Sequence, residues 1–199
     1  GYARRMPRTV STPRVAALLA AGSGSRFAGP QHKLLADLDG RPVWSWALEH
    51  VLEAGFDEVV VISGAVSLDL PASVQQRHNP DWAQGQAGSL QAAISAAREL
   101  GAEALTVGLA DQPFVTPDAW RAVATADPGC RLVIAVYDGI PGPNPVRLRA
   151  DMWPLLPTSG DSGARDLLRD HPDWLCRVDS VGSAADIDTL EDLARWRSC

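Results

Sequence analysis

Five short stretches of this sequence carry residues that could bind a charged ligand. The first runs from Gly22 to Lys33 and combines two glycines, Gly22 and Gly24, with two cations, Arg26 and Lys33. Glycine lets a ligand approach the backbone closely, and successive backbone N–H groups in such a loop form a nest for phosphate. The two cations would add full positive charges. The same composition also suits a tight turn between a strand and a helix, with both cations simply solvated.

The second and third stretches carry carboxylates. Asp111 follows an apolar run, and a lone carboxylate at a strand end suits Mg²⁺, which leaves its remaining positions to phosphate and water. Asp186 could supply a second metal ligand. The alternative functions are structural: Asp111 could cap the turn at Pro113, and we assign Asp188 to capping the last helix.

Two polar loops that precede helices form the remaining candidates. Asn79–Gly88 contains Trp82 and Gly85 and leads to Ser89, so its amides and backbone could read the edge of a base. Trp82 could equally pack as a lid over the core. Ser159–Arg165 is the other loop, in which Asp161 or Ser162 could be merely an N-cap.

Several common sites are excluded by the spacing of these residues. Gly22–Lys33 lacks the Gly-Lys-Ser/Thr end of a P-loop, and Phe27 stands where a dinucleotide fingerprint requires its third glycine. No nucleophile elbow with a Ser-His-Asp order is present, which disfavours hydrolase chemistry. A long loop with Arg26 and Lys33 suits a triphosphate better than a pyrophosphate at a helix end.

Apolar strands and helical segments alternate along the chain, which predicts an α/β fold with a mostly parallel sheet. Ligands bind at the carboxyl ends of the strands in such sheets. The strands Arg14–Ala20 and Ala104–Leu109 end just before the glycine loop and Asp111, so both sites are expected on one edge of the sheet.

Pro141–Pro145 is too rich in proline for a central strand. Further strands are predicted at Glu58–Ser63, Val74–Arg77, Leu132–Tyr137 and Trp174–Val178, and helices from Pro42 to Ala54, over Ser89–Leu100, from Pro117, over Asp151–Leu156 and Gly163–Asp170, and from Thr189.

Bulk composition is that of an ordinary globular chain. Its 199 residues are 46% hydrophobic and carry a net charge of −6, which argues against nucleic acid as the main partner. We predict a disordered lead-in, Gly1–Pro13, and one domain over residues 14–199. The three scattered cysteines form no CxxC motif, and no apolar run reaches membrane-spanning length. These features predict a cytoplasmic protein with reduced cysteines, no structural zinc and no membrane span.

Taken in order, the motifs resemble those of the MobA-like nucleotidyltransferases, in particular the molybdenum cofactor cytidylyltransferase branch. The resemblance extends over roughly Val15 to Trp196. It rests on five segments: Leu19–Phe27 with Lys33–Leu35, Asn79–Trp82 with Gly85 and Ser89–Leu90, Leu109–Pro113, Gly160–Arg165, and Asp186–Thr189 with Glu191–Leu193.

The resemblance implies a Rossmann-like three-layer sandwich that transfers a nucleoside monophosphate from an NTP to a phosphorylated acceptor such as the molybdenum cofactor. The reaction would need Mg²⁺ and release pyrophosphate. Arg26, Lys33 and Asp111 would be catalytic, with Asp111 and Asp186 on the metal. Nucleotide-binding residues would be Ala20, Ala21, Gly22, Ser23, Gly24, Arg26, Lys33, Gly85 and Ser89, and acceptor-binding residues Asn144, Asp161 and Arg165.

Two details bear on the substrates. The Ala20-Ala21-Gly22 form resembles the branch that prefers CTP, since the GTP branch tends to carry a second glycine where Ala21 stands. Asn144 occupies the place of a histidine in the family pattern, and asparagine cannot titrate near neutrality. The acceptor is therefore the open question: alternatives are another NTP with a sugar phosphate or phospholactate, or a domain recruited for nucleotide binding or for redox work on a small heterocycle. A molybdenum enzyme or its chaperone would be the macromolecular partner.

Overall fold

A computed structural model describes residues 11–197, and its centre is a seven-stranded sheet. A short hairpin, β2 with β3, lies outside that sheet. In chain order the strands are β1 (Val15–Ala20), β2 (Asp37–Leu38), β3 (Arg41–Pro42), β4 (Glu58–Ser63), β5 (Gln75–His78), β6 (Ala104–Leu109), β7 (Leu132–Tyr137), β8 (Ile140–Arg149) and β9 (Leu175–Ser180).

Helices cover both faces of the sheet. They are α1 (Val43–Glu53), α2 (Gln86–Glu99), α3 (Pro117–Ala124), α4 (Arg165–Asp170) and α5 (Leu190–Trp196), with 3₁₀ helices at Lys33–Leu35, Trp82–Gln84, Ala150–Leu155 and Pro172–Trp174. Leu90 and Ile94 of α2 pack on one face, while Val51 of α1 and Trp120 of α3 pack on the other. All six residues of β1 are therefore buried, as expected for a strand between two helical layers.

The strand order is β5-β4-β1-β6-β8-β7-β9, and only β8 runs antiparallel to its neighbours within this sheet. This arrangement confirms the predicted α/β fold with a mostly parallel sheet and helices on both sides. It also places the carboxyl ends of β1 and β6 side by side, because these two strands are parallel neighbours.

The exclusion of Pro141–Pro145 from a central strand was wrong, since β8 lies between β6 and β7. The part of β8 that pairs on both sides is Val146–Leu148, which contains no proline. Pro141 pairs only with β7, beyond the point where pairing with β6 has ended. Proline is tolerated there because no second ladder needs its missing N–H group.

The other predicted elements occur close to where the sequence placed them. Glu58–Ser63, Ala104–Leu109 and Leu132–Tyr137 are confirmed at both ends. Helix α2 begins at Gln86, before the predicted start at Ser89, because Gly85 turns the chain sharply with φ at +111°. The predicted helix at Asp151–Leu156 is instead a 3₁₀ helix that contains Pro154.

The prediction that the cysteines are scattered and reduced was wrong for one pair. Cys130 and Cys176 form a disulfide across 46 positions, because Cys176 lies on β9, which pairs with β7 just after Cys130.

Cys199 and the first ten residues of the predicted lead-in lie outside the described residues. Between residues 11 and 197, no helix combines the length and apolar character that crossing a bilayer requires.

Candidate active site

A cavity of about 790 Å³ opens at the carboxyl ends of β1 and β6. All nine residues predicted to bind the nucleotide line it, and so do the predicted metal ligands Asp111 and Asp186. Asp161 and Arg165 lie in the same wall, whereas Asn144 does not. The cavity is also lined by polar or aromatic residues to which the sequence assigned no ligand-binding role or only an open one: Ser25, Trp82, Gln86 and Asp188.

Lys33 lies between two carboxylates at the floor of this cavity. Its Nζ is 2.5 Å from Asp111 Oδ2 and 2.6 Å from Asp188 Oδ1. Burial lowers the pKa of Lys33, but the charge of Asp111 and hydrogen bonds to both carboxylates outweigh that effect and raise the pKa above its usual value. Lys33 is therefore a fixed positive charge at neutral pH.

Asp188 joins this lysine to Arg26 of the glycine loop. Its Oδ2 lies 2.9 Å from Arg26 Nη2, and the arginine side chain is 77% exposed. The predicted capping role of Asp188 was wrong, because Thr189 caps α5 by accepting a hydrogen bond from Asp192 N. Asp192 Oδ2 in turn accepts a hydrogen bond from the Thr189 backbone N–H, which confirms the predicted capping box. Asp188 is thereby left to face the cations of the cavity.

Asp111 has one carboxylate oxygen without a partner. Oδ2 accepts from Lys33, but Oδ1 is buried and forms no hydrogen bond. Leaving a buried acceptor unsatisfied is costly, and a hard cation prefers such an oxygen. Residues 11–197 contain no group of three or more His, Cys, Asp or Glu side chains that could hold a metal ion. The donor set therefore fits a cation such as Mg²⁺ that draws most of its ligands from phosphate and water.

Asp186 is a second carboxylate in the same region. Burial raises its pKa above the usual range, and the neighbouring charge of Asp111 raises it further. A cation held by these carboxylates would oppose both effects, since opposite charge favours the ionised form.

Gln112 positions Asp186 and received no role from the sequence. Its side chain is 1% exposed, and its Nε2 donates to Asp186 Oδ1 at 2.8 Å and to Ala184 O at 3.0 Å. The backbone N–H of Ile187 donates to Asp111 O at 2.9 Å. These bonds dock the segment that carries Asp186 and Asp188 against the end of β6. The only feature of the sequence that could have indicated this role is that Gln112 directly follows Asp111.

The loop before α2 forms another wall. Asn79 Nδ2 donates to Ser89 Oγ at 3.0 Å, and both residues are buried. The Cβ atoms of Trp82 and Ala21 both lie beside Gly64, where an added Cβ would be 2.7 Å from Trp82 Cβ and 2.8 Å from Ala21 Cβ. Trp82 and Ala21 therefore define one corner of the cavity.

The loop that carries Asp161 packs directly on the start of α2. Gly160 O accepts from Ala87 N at 2.9 Å, and a Cβ at Gly85 would lie 2.5 Å from the same oxygen. Gly85 is thus required for close approach as well as for its positive φ. Asn144 is held elsewhere, with its backbone oxygen accepting from Tyr137 Oη at 3.2 Å.

Comparisons with known proteins agree on the fold. The family model of the MobA-like NTP transferase domain matches residues 16–174. Nicotine blue oxidoreductase of Paenarthrobacter nicotinovorans is 33% identical, over 89% of this chain and 93% of that protein. A nucleotidyl transferase from Methanothermobacter thermautotroptrophicus superposes with a TM-score of 0.77 at 26% identity, over 94% and 96% of the two chains. Rv0371c from Mycobacterium tuberculosis, in complex with manganese, has a TM-score of 0.75 at 23% identity, over 94% and 99%.

Proposed function

Because the chain belongs to the MobA-like NTP transferase family and is a nucleotidyltransferase, we propose that it transfers CMP from CTP to a small phosphorylated acceptor. The acceptor class we favour is molybdopterin or the molybdenum cofactor, with a molybdenum enzyme or its chaperone as the recipient of the product. The observation that carries this proposal is Lys33 held between Asp111 and Asp188 in the cavity that the glycine loop lines.

The chain's own residues would hold the triphosphate. Backbone N–H groups of Gly22–Gly24 would receive phosphate oxygens, while Arg26 and Lys33 neutralise their charge. An oxygen of the acceptor phosphate would form a bond to the α-phosphorus. The bond from that phosphorus to its bridging oxygen would break, and pyrophosphate would leave with the electron pair. The attacking oxygen is already ionised, so positioning and charge neutralisation suffice.

Asp111 and Asp186 are the residues that would hold Mg²⁺. The buried, unpartnered Oδ1 of Asp111 supports this assignment. When bound, the metal would neutralise charge on the phosphates and on departing pyrophosphate. Gln112 would keep the Asp186 carboxylate aimed at that position through its hydrogen bond.

Different walls of the cavity would hold the two substrates. Ala21 and Trp82 form a corner that would receive the base, and the methyl group of Ala21 narrows it, which favours the smaller cytosine. Asp161 and Arg165 lie on the loop packed against α2 and would contact the acceptor. Asn144 remains a proposed acceptor-binding residue, although it does not line the cavity.

The direct test is pyrophosphate release from each of the four NTPs with Mg²⁺ and molybdopterin. We expect CTP to give turnover that depends on both the metal and the acceptor. The test variant is Asp111→Asn, which keeps the size of the side chain. Its rate of pyrophosphate release should fall about a hundredfold or more, while its circular dichroism spectrum stays unchanged. Full turnover by that variant, or none by wild-type protein with any NTP, contradicts the proposal.

A second candidate function is reduction of a small heterocycle. It is favoured by the 33% identity to nicotine blue oxidoreductase across nearly the whole chain. The glycine loop opposes it, since Phe27 replaces the third glycine of a dinucleotide fingerprint. Melting temperatures separate the two functions. CTP with Mg²⁺ should raise the melting temperature of a nucleotidyltransferase, whereas an increase with NADPH alone would favour the reductase.

A further inference from the structure

His32 joins the two ends of the glycine loop. Its Nε2 lies 2.8 Å from Gly22 O, and its Nδ1 accepts from Leu34 N at 3.2 Å. Because Nδ1 receives that N–H, it carries no proton, so the ring proton is on Nε2 and is donated to Gly22 O. One side chain thus fixes the start of the loop and the 3₁₀ turn that begins at Lys33.

Apart from the ion pair between Arg26 and Asp188, few other contacts hold this part of the chain. Between Gly22 and His32, Phe27 N donates to Gly24 O at 2.9 Å, and the Phe27 ring is buried with Ile187 and Leu193. The His32 ring also packs on Gly24, where an added Cβ would lie 2.9 Å from Nε2. Gly22 and Ser23 are themselves exposed, so the hydrogen bond from His32 is what orients their peptide group.

The direction of that bond matters for phosphate binding. Gly22 and Ser23 line the cavity, whereas His32 is not among its lining residues. The Gly22–Ser23 peptide is trans, so its carbonyl and its N–H point in opposite directions. Because Gly22 O is held toward His32, which is not part of the cavity lining, the Ser23 N–H is directed to the opposite side of the peptide.

We propose that His32 is a positioning residue that presents the Ser23 N–H to the triphosphate, an inference that rests on the proposed function. Its effect is on nucleotide affinity and not on the chemical step, because His32 contacts loop backbone and no reacting atom.

Two amide variants separate the two hydrogen bonds of His32. Asn in His32→Asn can still accept from Leu34 N but is too short to reach Gly22 O, whereas Gln in His32→Gln can reach Gly22 O. The probe is inorganic tripolyphosphate, with its affinity measured by titration calorimetry. The KM and kcat for CTP are measured in parallel, and His78→Asn on the exposed end of β5 is the matched control.

We expect His32→Asn to bind tripolyphosphate roughly threefold to tenfold more weakly and to raise KM by the same factor with kcat retained, as for one lost hydrogen bond. His32→Gln should recover most of the affinity, His78→Asn should equal wild type, and all melting temperatures should agree. Wild-type affinity in His32→Asn, or equal losses in both amide variants, overturns the role of His32 alone. Wild-type protein that binds neither tripolyphosphate nor CTP overturns the proposed function and this inference with it.

Discussion

Lys33 and Asp188 are 155 positions apart in the sequence, yet their side chains meet at 2.6 Å on the floor of the cavity. Asp188 also holds Arg26, so one carboxylate engages both cations that are expected to bind phosphate. A triphosphate would compete with Asp188 for these cations. The site is therefore a set of ion pairs that an anionic ligand would have to rearrange.

Replacing Lys33 by methionine should weaken both CTP binding and the fold. The uncharged side chain leaves Asp111 and Asp188 without the cation that lies between them, and we expect CTP affinity to fall about tenfold to a hundredfold. Calorimetric titration measures the affinity, and urea denaturation measures the free energy of unfolding. Unchanged affinity in this variant contradicts a phosphate-binding role for Lys33.

The stability difference between wild type and Lys33→Met should depend on pH. The pKa of Lys33 is raised in the folded state, so its ion pairs contribute their full stability below the unfolded-state pKa of 10.5 and lose it as pH rises through the folded value. The difference in unfolding free energy between wild type and Lys33→Met should be constant from neutral pH to about pH 10 and shrink above it. A difference that already shrinks between pH 7 and 9 contradicts this assignment.

Replacing Asp186 by asparagine should stabilise the metal-free protein while lowering activity. The raised pKa of Asp186 means that its ionised form is disfavoured in the folded state, so the penalty is full above the folded pKa and absent below the unfolded value of 3.8. Asparagine removes the charge and can still accept from Gln112. Thermal melts at pH 7 without metal should show a higher transition, and pyrophosphate release should fall. A lower melting temperature contradicts the electrostatic account.

Replacing Gln112 by methionine should weaken metal binding without removing any metal ligand. The variant loses the hydrogen bond to the Asp186 carboxylate, and such orienting partners typically account for about 10- to 100-fold in metal affinity. Paramagnetic resonance of Mn²⁺ titrated into the protein measures this affinity directly. Equal Mn²⁺ affinity in wild type and Gln112→Met shows that the hydrogen bond only supports the fold.

Replacing Ala21 by glycine should shift the nucleotide preference from CTP toward GTP. Removing the methyl group widens the corner beside Trp82, and one such group discriminates by roughly tenfold in kcat/KM. The ratio of the two values in wild type and variant is the measurement. A ratio that does not change places the base elsewhere in the cavity.

Much of the fold followed from local patterns. Continuous apolar runs such as Val15–Ala20 identify strands buried on both faces, and Thr116 before Pro117 marks a helix start that the structure confirms. The same logic failed at Pro141–Pro145, because the proline rule applies to each paired residue and not to a whole strand. Whether a residue has two neighbouring strands depends on sheet order, which local sequence does not encode.

The sequence by itself determined that the glycine loop and Asp111 share an edge of the sheet, because parallel strands place their carboxyl ends together. Only the tertiary structure decided how the charges there are paired. Three contacts join segments that are distant in the chain. They are the ion pair between Lys33 and Asp188, the hydrogen bond from Gln112 to Asp186, and the Cys130–Cys176 disulfide. Each depends on long-range docking of the chain after β9 or on the pairing of β9 with β7, and no spacing within the sequence specifies such contacts.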